Sequence, residues 1–141
     1  MGLSTGSIKV EHYEPITTPV GIINGRDAIY LDETHLDVVK TSSLILQGEL
    51  SPFAASERES DEWIAYKLVF FGIRGVKVTE LDSWDFKCAS SFDEVRESDF
   101  LKTFKASAEH KHYKVQTYDY VFDVVARRFE LSLGVRRAQS K

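Results

Sequence analysis

The stretch HKHYKVQTYDYVFDVVARRFELSLG, residues 110–134, decides the fold class. Apolar and polar residues alternate between residues 112 and 118, and again between 129 and 133. Alternation with a period of two is typical of a β-strand with one buried face. A helix over residues 120–128 also fits the spacing of its apolar residues. The β-branched valines in that segment favour a hairpin, with a break near Arg127–Arg128.

The rest of the chain repeats this strand pattern. Strand signals cover residues 28–32, 34–38, 43–50 and 63–71, and they continue from 76 to 88. Gly72 and Gly75 permit either a tight hairpin or a bulge that bends one long strand. The sequence therefore predicts a mainly β protein, an antiparallel β-sandwich or partly open barrel of about seven or eight strands.

One segment reads as a helix. Ser91 followed by Glu94 resembles a capping box, and Ser98–Asp99 offers a second helix start. Acidic residues precede lysines in this segment, as the helix dipole favours. The sequence therefore predicts one short helix near residues 93–106.

Length and composition indicate one ordinary globular domain. The chain has 141 residues, 43% of them hydrophobic and 12% aromatic, so residues 1–141 are predicted to form a single domain with flexible ends near 1–6 and 135–141. The single cysteine, Cys88, excludes an intramolecular disulfide and fits a reducing compartment. Without a signal-peptide pattern or a long apolar run, we expect a soluble cytoplasmic protein.

Charge is distributed unevenly along the chain. The net charge is −4, yet residues 1–62 hold 11 acidic and 4 basic residues, whereas residues 63–141 hold 11 acidic and 14 basic ones. The acidic total argues against nucleic-acid binding, although four arginines near the C-terminus form a candidate anion patch. The acidic half predicts a surface that binds a basic protein. Its candidate residues are Asp32, Glu33, Asp37, Glu57, Glu59, Asp61 and Glu62.

Catalytic and cofactor motifs are missing from the sequence. It has no nucleophile elbow and no glycine-rich phosphate loop. His110 and His112 have no further ligands at zinc spacing, so neither a metal nor a cofactor is predicted. Cys88 shares its strand parity with Trp84 and Phe86, which predicts a buried, unreactive thiol.

A weak hydrolase-like alternative uses His112, Asp119 and Asp123. Strand parity brings the three together only in a favourable hairpin register. The competing interpretation is that Asp119 caps a turn. If Asp123 is buried, it needs a hydrogen-bond donor, for which Tyr118 or an arginine is the candidate.

Three functions follow in order of preference. The first is a non-catalytic protein-binding module, in its sharpest form an immunity-like stoichiometric inhibitor of a basic partner. The second is a β protein that holds a small apolar ligand, and the third is the weak hydrolase. In pattern, LVFFGIRGVKV (68–78) and HYKVQTYDYVFDVVARRFELSL (112–133) resemble small bacterial single-domain proteins, some suspected of neutralising toxins. No functional residue is carried over from this resemblance.

Overall fold

The computed structural model describes residues 10–52, 62–83 and 87–135, and in this part of the chain the fold is almost entirely β. Its elements are β1 (His12–Pro15), β2 (Thr17–Thr18), β3 (Gly21–Ile22), β4 (Ile29–Asp37), β5 (Ser43–Leu50), β6 (Ile64–Phe71), β7 (Gly75–Glu80), β8 (Phe92–Arg96), α1 (Asp99–Lys102), β9 (Lys111–Gln116), β10 (Tyr120–Ala126) and β11 (Arg128–Val135). The mainly β prediction is confirmed. Apart from the backbone of Val135, the ends predicted to be flexible lie outside the described residues.

Two antiparallel sheets carry the fold. One has the strand order β1-β8-β9-β10-β7 and the other the order β11-β6-β5-β4, while β2 and β3 form a small hairpin. Side chains from both large sheets meet in one hydrophobic core. The Phe70 ring of the four-stranded sheet lies 5.4 Å from Tyr113 and 6.4 Å from Phe92 in the five-stranded sheet. The arrangement is a sandwich of two facing sheets.

The two sheets are joined by strands that continue from one into the other. β6 lies in the four-stranded sheet and β7 in the five-stranded sheet, and β10 and β11 are divided in the same way. Arg74 N donates to Val125 O and Arg127 N donates to Phe71 O, both at 2.8 Å. These backbone hydrogen bonds join the β6–β7 connection to the β10–β11 connection. Gly72, at φ 70°, makes one of the bends. The hairpin predicted beyond residue 120 is therefore wrong, whereas its break near Arg127–Arg128 is confirmed. Of the two alternatives at Gly72 and Gly75, the tight hairpin does not form, because β6 and β7 belong to different sheets.

β4 contains a bulge that explains an apparent break in its sequence pattern. Its register with β5 shifts between Leu31 and Glu33, so Asp32 is the extra residue. An inserted residue reverses which positions face the core. The register pairs Ile29 with Leu50 before the bulge and Leu36 with Leu44 after it, so odd positions and then even positions share the sheet face of the core residues. Beyond the bulge these positions are exposed, Leu36 by 48%. One strand therefore carries the two patterns predicted at 28–32 and from 34 onward.

The predicted short helix near residues 93–106 is confirmed as a single turn. α1 spans Asp99–Lys102, and its N-cap Ser98 accepts a hydrogen bond from Leu101 N at 2.9 Å, as predicted. Of the predicted capping box, Ser91 immediately precedes β8 and Glu94 lies within that strand. Because Phe92 and Val95 are buried on opposite faces of that strand, its apolar spacing of three imitates a helix.

Residues 97–110, here called the covering segment, lie against the outer face of the five-stranded sheet. Phe104 packs where Gly75 has no side chain, and Phe100 lies 5.3 Å from the His112 ring. The outer face of β9 and β10 is buried as a result. None of the helices in the described ranges combines the length and apolarity needed to cross a membrane.

Candidate functional site

A network of buried polar side chains lies beneath the covering segment. The register of β9 and β10 places Lys114 opposite Asp123. His112 Nε2 lies 2.7 Å and Lys114 Nζ 3.4 Å from Asp123 Oδ1. His112, Lys114 and Asp123 are 3%, 6% and 4% exposed. A buried carboxylate thus has two cationic or hydrogen-bonding neighbours that compensate for its lost hydration.

Ser98 extends this network into the covering segment. Its Oγ lies 2.6 Å from His112 Nδ1. An ionised aspartate only accepts hydrogen bonds, so Nε2 of His112 carries the proton that binds Asp123. In the neutral imidazole Nδ1 is then an acceptor, and the Ser98 hydroxyl donates to it. The result is a continuous chain of hydrogen bonds through Ser98, His112 and Asp123.

The N-terminal residues fix the covering segment from its other side. Glu11 accepts a hydrogen bond from the Tyr13 hydroxyl at 2.7 Å and another from Asp99 N at 2.8 Å. The Tyr13 ring centroid lies 5.6 Å from Lys114 Nζ, within the range of a cation–π contact. The segment is therefore joined both to β9 and to the residues around β1.

A serine, a histidine and an aspartate in series activate a nucleophile in many hydrolases. A nucleophile must also reach its substrate, and Ser98 is only 1% exposed. Its oxygen already serves as the α1 cap. Among the described residues, every buried side-chain nitrogen or oxygen has a hydrogen-bond partner. In this geometry the network fastens the covering segment to the sheet.

The sequence predicted only part of this network. His112 and Asp123 do meet, but Asp119 is exposed in the β9–β10 turn and takes no part. The donors to Asp123 are His112 and Lys114, so the prediction of Tyr118 or an arginine is wrong.

Ser98 and Lys114 were missed for different reasons. The i, i+2 spacing of His112 and Lys114 was the available signal that both lie on one face of a strand. The contact between Ser98 and His112 leaves no local signal, because it joins a helix cap to a strand.

Asp123 is expected to make stability fall in acid. Burial opposes its ionisation, but the His112 hydrogen bond and the Lys114 charge hold the pKa of Asp123 below its ordinary value. A carboxyl with a lower pKa in the folded state stabilises the fold above its unfolded pKa of about 3.9, and this contribution disappears as the pH falls through the folded value. In urea titrations we expect the stability gap between wild type and Asp123→Asn to narrow below about pH 5. A gap that stays constant down to about pH 3 would contradict this assignment.

The other predicted chemical residues lie apart from this network. Cys88 is exposed, so its predicted burial is wrong, and Trp84 and Phe86 fall outside the described residues. Partial desolvation and the Asp93 charge raise the pKa of the Cys88 thiol, the opposite of what an activated nucleophile needs. The described residues contain no group of three metal-ligating side chains.

Two further residues are explained by local structure. His110 Nδ1 lies 3.0 Å from both Ser107 N and Ser107 Oγ. The His110 side chain therefore makes local contacts within the loop that precedes β9. The turn after β9 is held by Thr117, whose Oγ1 donates to Tyr120 O at 2.8 Å and accepts from Tyr120 N at 3.0 Å. Thr117 therefore takes the turn-capping role predicted for Asp119.

The predicted acidic surface is partly visible along β4. Asp32 and Glu33 are exposed on this strand, and Glu62 is exposed before β6. The Asp37 carboxylate accepts hydrogen bonds from Val39 N and Lys40 N, both at 3.0 Å, and these bonds lower the pKa of Asp37. The predicted Glu57, Glu59 and Asp61 lie outside the described residues.

β4 is an edge strand with a distinctive composition. It ends the order β11-β6-β5-β4. Between residues 27 and 39 the sequence has four acidic residues and no lysine or arginine. We call Asp27, Asp32, Glu33 and Asp37 with this strand the acidic edge. Leu36, Val38 and Val39 at its end are exposed, Val39 by 86%.

Three aromatic residues stand at the beginning of β4. The Tyr30 ring stacks on Tyr118 with centroids 5.1 Å apart, and it meets the edge of Trp63 at 5.2 Å. Tyr118 N donates to Ile29 O at 2.9 Å, which fixes the β9–β10 turn against this strand. Tyr30, Trp63 and Tyr118 are called the aromatic cluster below.

A small apolar void lies between the two sheets among the residues that the structure describes. The void lined by residues of both sheets, among them Ile23, Tyr66 and Phe92, has a volume of about 10 Å³. That is no more than one water molecule requires. Outside the core, a shallow groove of about 460 Å³ runs along β4 and β5. Its lining residues are Glu33, Thr34, His35, Ile45 and Gln47.

The protein is therefore a two-sheet β protein with a buried Ser–His–Asp–Lys network. Its edge strand β4 is acidic and ends in exposed apolar residues. Comparison with known proteins gave no matching family model and no similar curated protein or solved structure.

Proposed function

We propose that this chain is a non-catalytic protein-binding module whose acidic edge takes up a basic, extended segment of a partner protein. The observation that carries the proposal is an edge strand of nine residues, β4, with acids along it and no lysine or arginine. Edge strands offer backbone hydrogen-bonding groups to an added strand. Complementary charge then selects a basic segment over others.

The composition of β4 favours such pairing. Natural proteins commonly protect exposed edges with lysine or proline, and residues 29–37 contain neither. The bulge at Asp32 limits regular pairing to the part of the strand that follows it. In that part, Glu33 and Asp37 supply charge, while Leu36 supplies apolar surface at 48% exposure.

An immunity-like stoichiometric inhibitor of a basic protein is the form of this function that we favour. Acidic surfaces speed association with basic partners at low ionic strength. The burial of Ser98 and the raised pKa of the Cys88 thiol support a non-catalytic role. A cytoplasmic location is part of the proposal and rests on the single cysteine.

Charge reversal at Glu33 tests the proposal. The immobilised protein is exposed to native lysate at about 0.05 M and about 0.5 M salt. We expect a basic protein to be retained at the lower salt concentration. For the recovered partner, Glu33→Lys should weaken affinity by about tenfold, because it places a cation where the partner carries one.

The matched control is Glu130→Lys, which makes the same charge change on β11 at the opposite edge of the same sheet. Glu130 is exposed and pairs with Arg128 at 2.6 Å, an interaction worth less than about 1 kcal/mol. This variant should bind the partner as wild type does. If both variants lost affinity equally, the acidic edge would be rejected as the binding surface. The same conclusion would follow if the amount of retained partner did not depend on salt or on Glu33.

A further inference from the structure

We infer that the aromatic cluster is a binding site for a guanidinium group, and that it receives an arginine side chain of the basic partner. This inference rests on the proposed function and adds the residue type that the partner presents. Tyr30 belongs to β4 itself, so the cluster is continuous with the acidic edge. Tyrosine, tryptophan and arginine are the residue types that dominate binding energy at protein interfaces.

The chain's own Arg26 marks the site. Its guanidinium carbon lies 5.4 Å from the centroid of the Tyr118 ring, within the distance of a cation–π contact. The planar guanidinium stacks on aromatic faces better than the compact lysine ammonium does. The cluster therefore already holds the chemical group that we assign to the partner.

Arg26 is held weakly enough to be replaced. Its guanidinium nitrogens lie 3.3 Å from the Asp82 carboxylate. The two side chains are 51% and 69% exposed, and such surface pairs contribute little to stability. A partner arginine that enters the cluster releases Arg26 to solvent at small cost.

Negative charge surrounds the rings. Asp27 follows Arg26 in the sequence and Asp119 follows Tyr118. Desolvation raises the pKa of the Tyr30 phenol most, and the charges of Asp27 and Asp119 raise it further. Acids beside aromatic faces favour a cation over a neutral side chain. The rings are also stacked before binding, which reduces the entropy lost on association.

Two peptides of identical length test the inference, one alternating glycine with arginine and the other alternating glycine with lysine. Their affinities for the full chain are measured by calorimetry at low salt. We expect the arginine peptide to bind about fivefold more tightly than the lysine peptide. Tyr118→Ala should reduce this preference to within about twofold, and Asp119→Asn should reduce it in part. Arg26→Ala should strengthen arginine-peptide binding, because it vacates the site and removes a positive charge.

Tyr120→Ala is the matched control. Tyr120 is 44% exposed and Tyr118 is 41% exposed, and both lie in or beside the same turn. Removal of Tyr120 should leave the arginine preference intact. Equal affinity of the two peptides for wild type, a preference that survives Tyr118→Ala, or binding of neither peptide overturns the guanidinium site. None of these results rejects the acidic edge, which is decided separately by Glu33→Lys and the partner pull-down.

Discussion

Replacement of Asp123 by alanine is expected to destabilise the fold by about 3–5 kcal/mol, the largest effect of any single side chain described above. The carboxylate is buried and lies within 3.4 Å of both His112 and Lys114. Without it, the buried Lys114 ammonium loses the carboxylate that lies 3.4 Å from it. Breaking a buried ion pair from one side is costly for this reason.

Urea denaturation followed by circular dichroism measures this effect, with Asp119→Ala as the control. The two substitutions delete the same side chain four positions apart, one buried in the network and the other exposed in a turn. Asp119→Ala should change the unfolding free energy by less than about 0.5 kcal/mol. Similar losses from both substitutions would mean that the network does not stabilise the fold as its geometry implies.

Gly48→Ala is expected to cost about 3–4 kcal/mol. A Cβ at this position would overlap the carbonyl oxygen of Tyr30 and would lie 2.8 Å from its carbonyl carbon and 3.1 Å from Asp32 N. These are backbone atoms at the β4 bulge, which a rotamer change cannot move. The same carbonyl accepts a hydrogen bond from the Tyr66 hydroxyl at 3.0 Å, so any shift of β4 also disturbs this partly buried bond.

The control for Gly48→Ala is the same substitution at Gly134. A Cβ there meets no atom within 4 Å, and alanine restricts the unfolded chain more than glycine does. Gly134→Ala should be neutral or stabilise the protein by up to about 1 kcal/mol. Both variants are compared by thermal and urea unfolding. If Gly48→Ala reduced the free energy of unfolding only slightly, β4 and β5 would separate at this point more easily than their packing indicates.

The strand content could be predicted because alternation is a local property of the sequence. Residues 129–133 show the pattern most clearly and form part of β11. Pairing partners could not be predicted in the same way. β10 and β11 are adjacent in sequence and belong to different sheets, because Arg127 bonds to Phe71 across the corner. Contacts of this kind depend on residues far apart in the chain.

The buried network was difficult to predict for a different physical reason. Polar residues on one face of a strand ordinarily indicate a face exposed to water. In β9 the polar face, which includes His112 and Lys114, is buried because the covering segment lies over it. The same double burial made β8 resemble a helix. By contrast, the exposure of Asp32 and Glu33 to solvent could be expected from the sequence, because charged side chains are seldom buried.

The pairing of β1 with β8 means that β1 is synthesised well before the strand with which it pairs. Tyr13 is opposite Val95 in this pair, so the first described strand leaves the ribosome long before its partner exists. At about 5–20 residues per second, the wait is on the order of 4–16 s. During this time Glu11 and Tyr13 lack the contacts that later hold the covering segment. β1 is therefore available to chaperones until β8 has been synthesised, and it cannot dock before then.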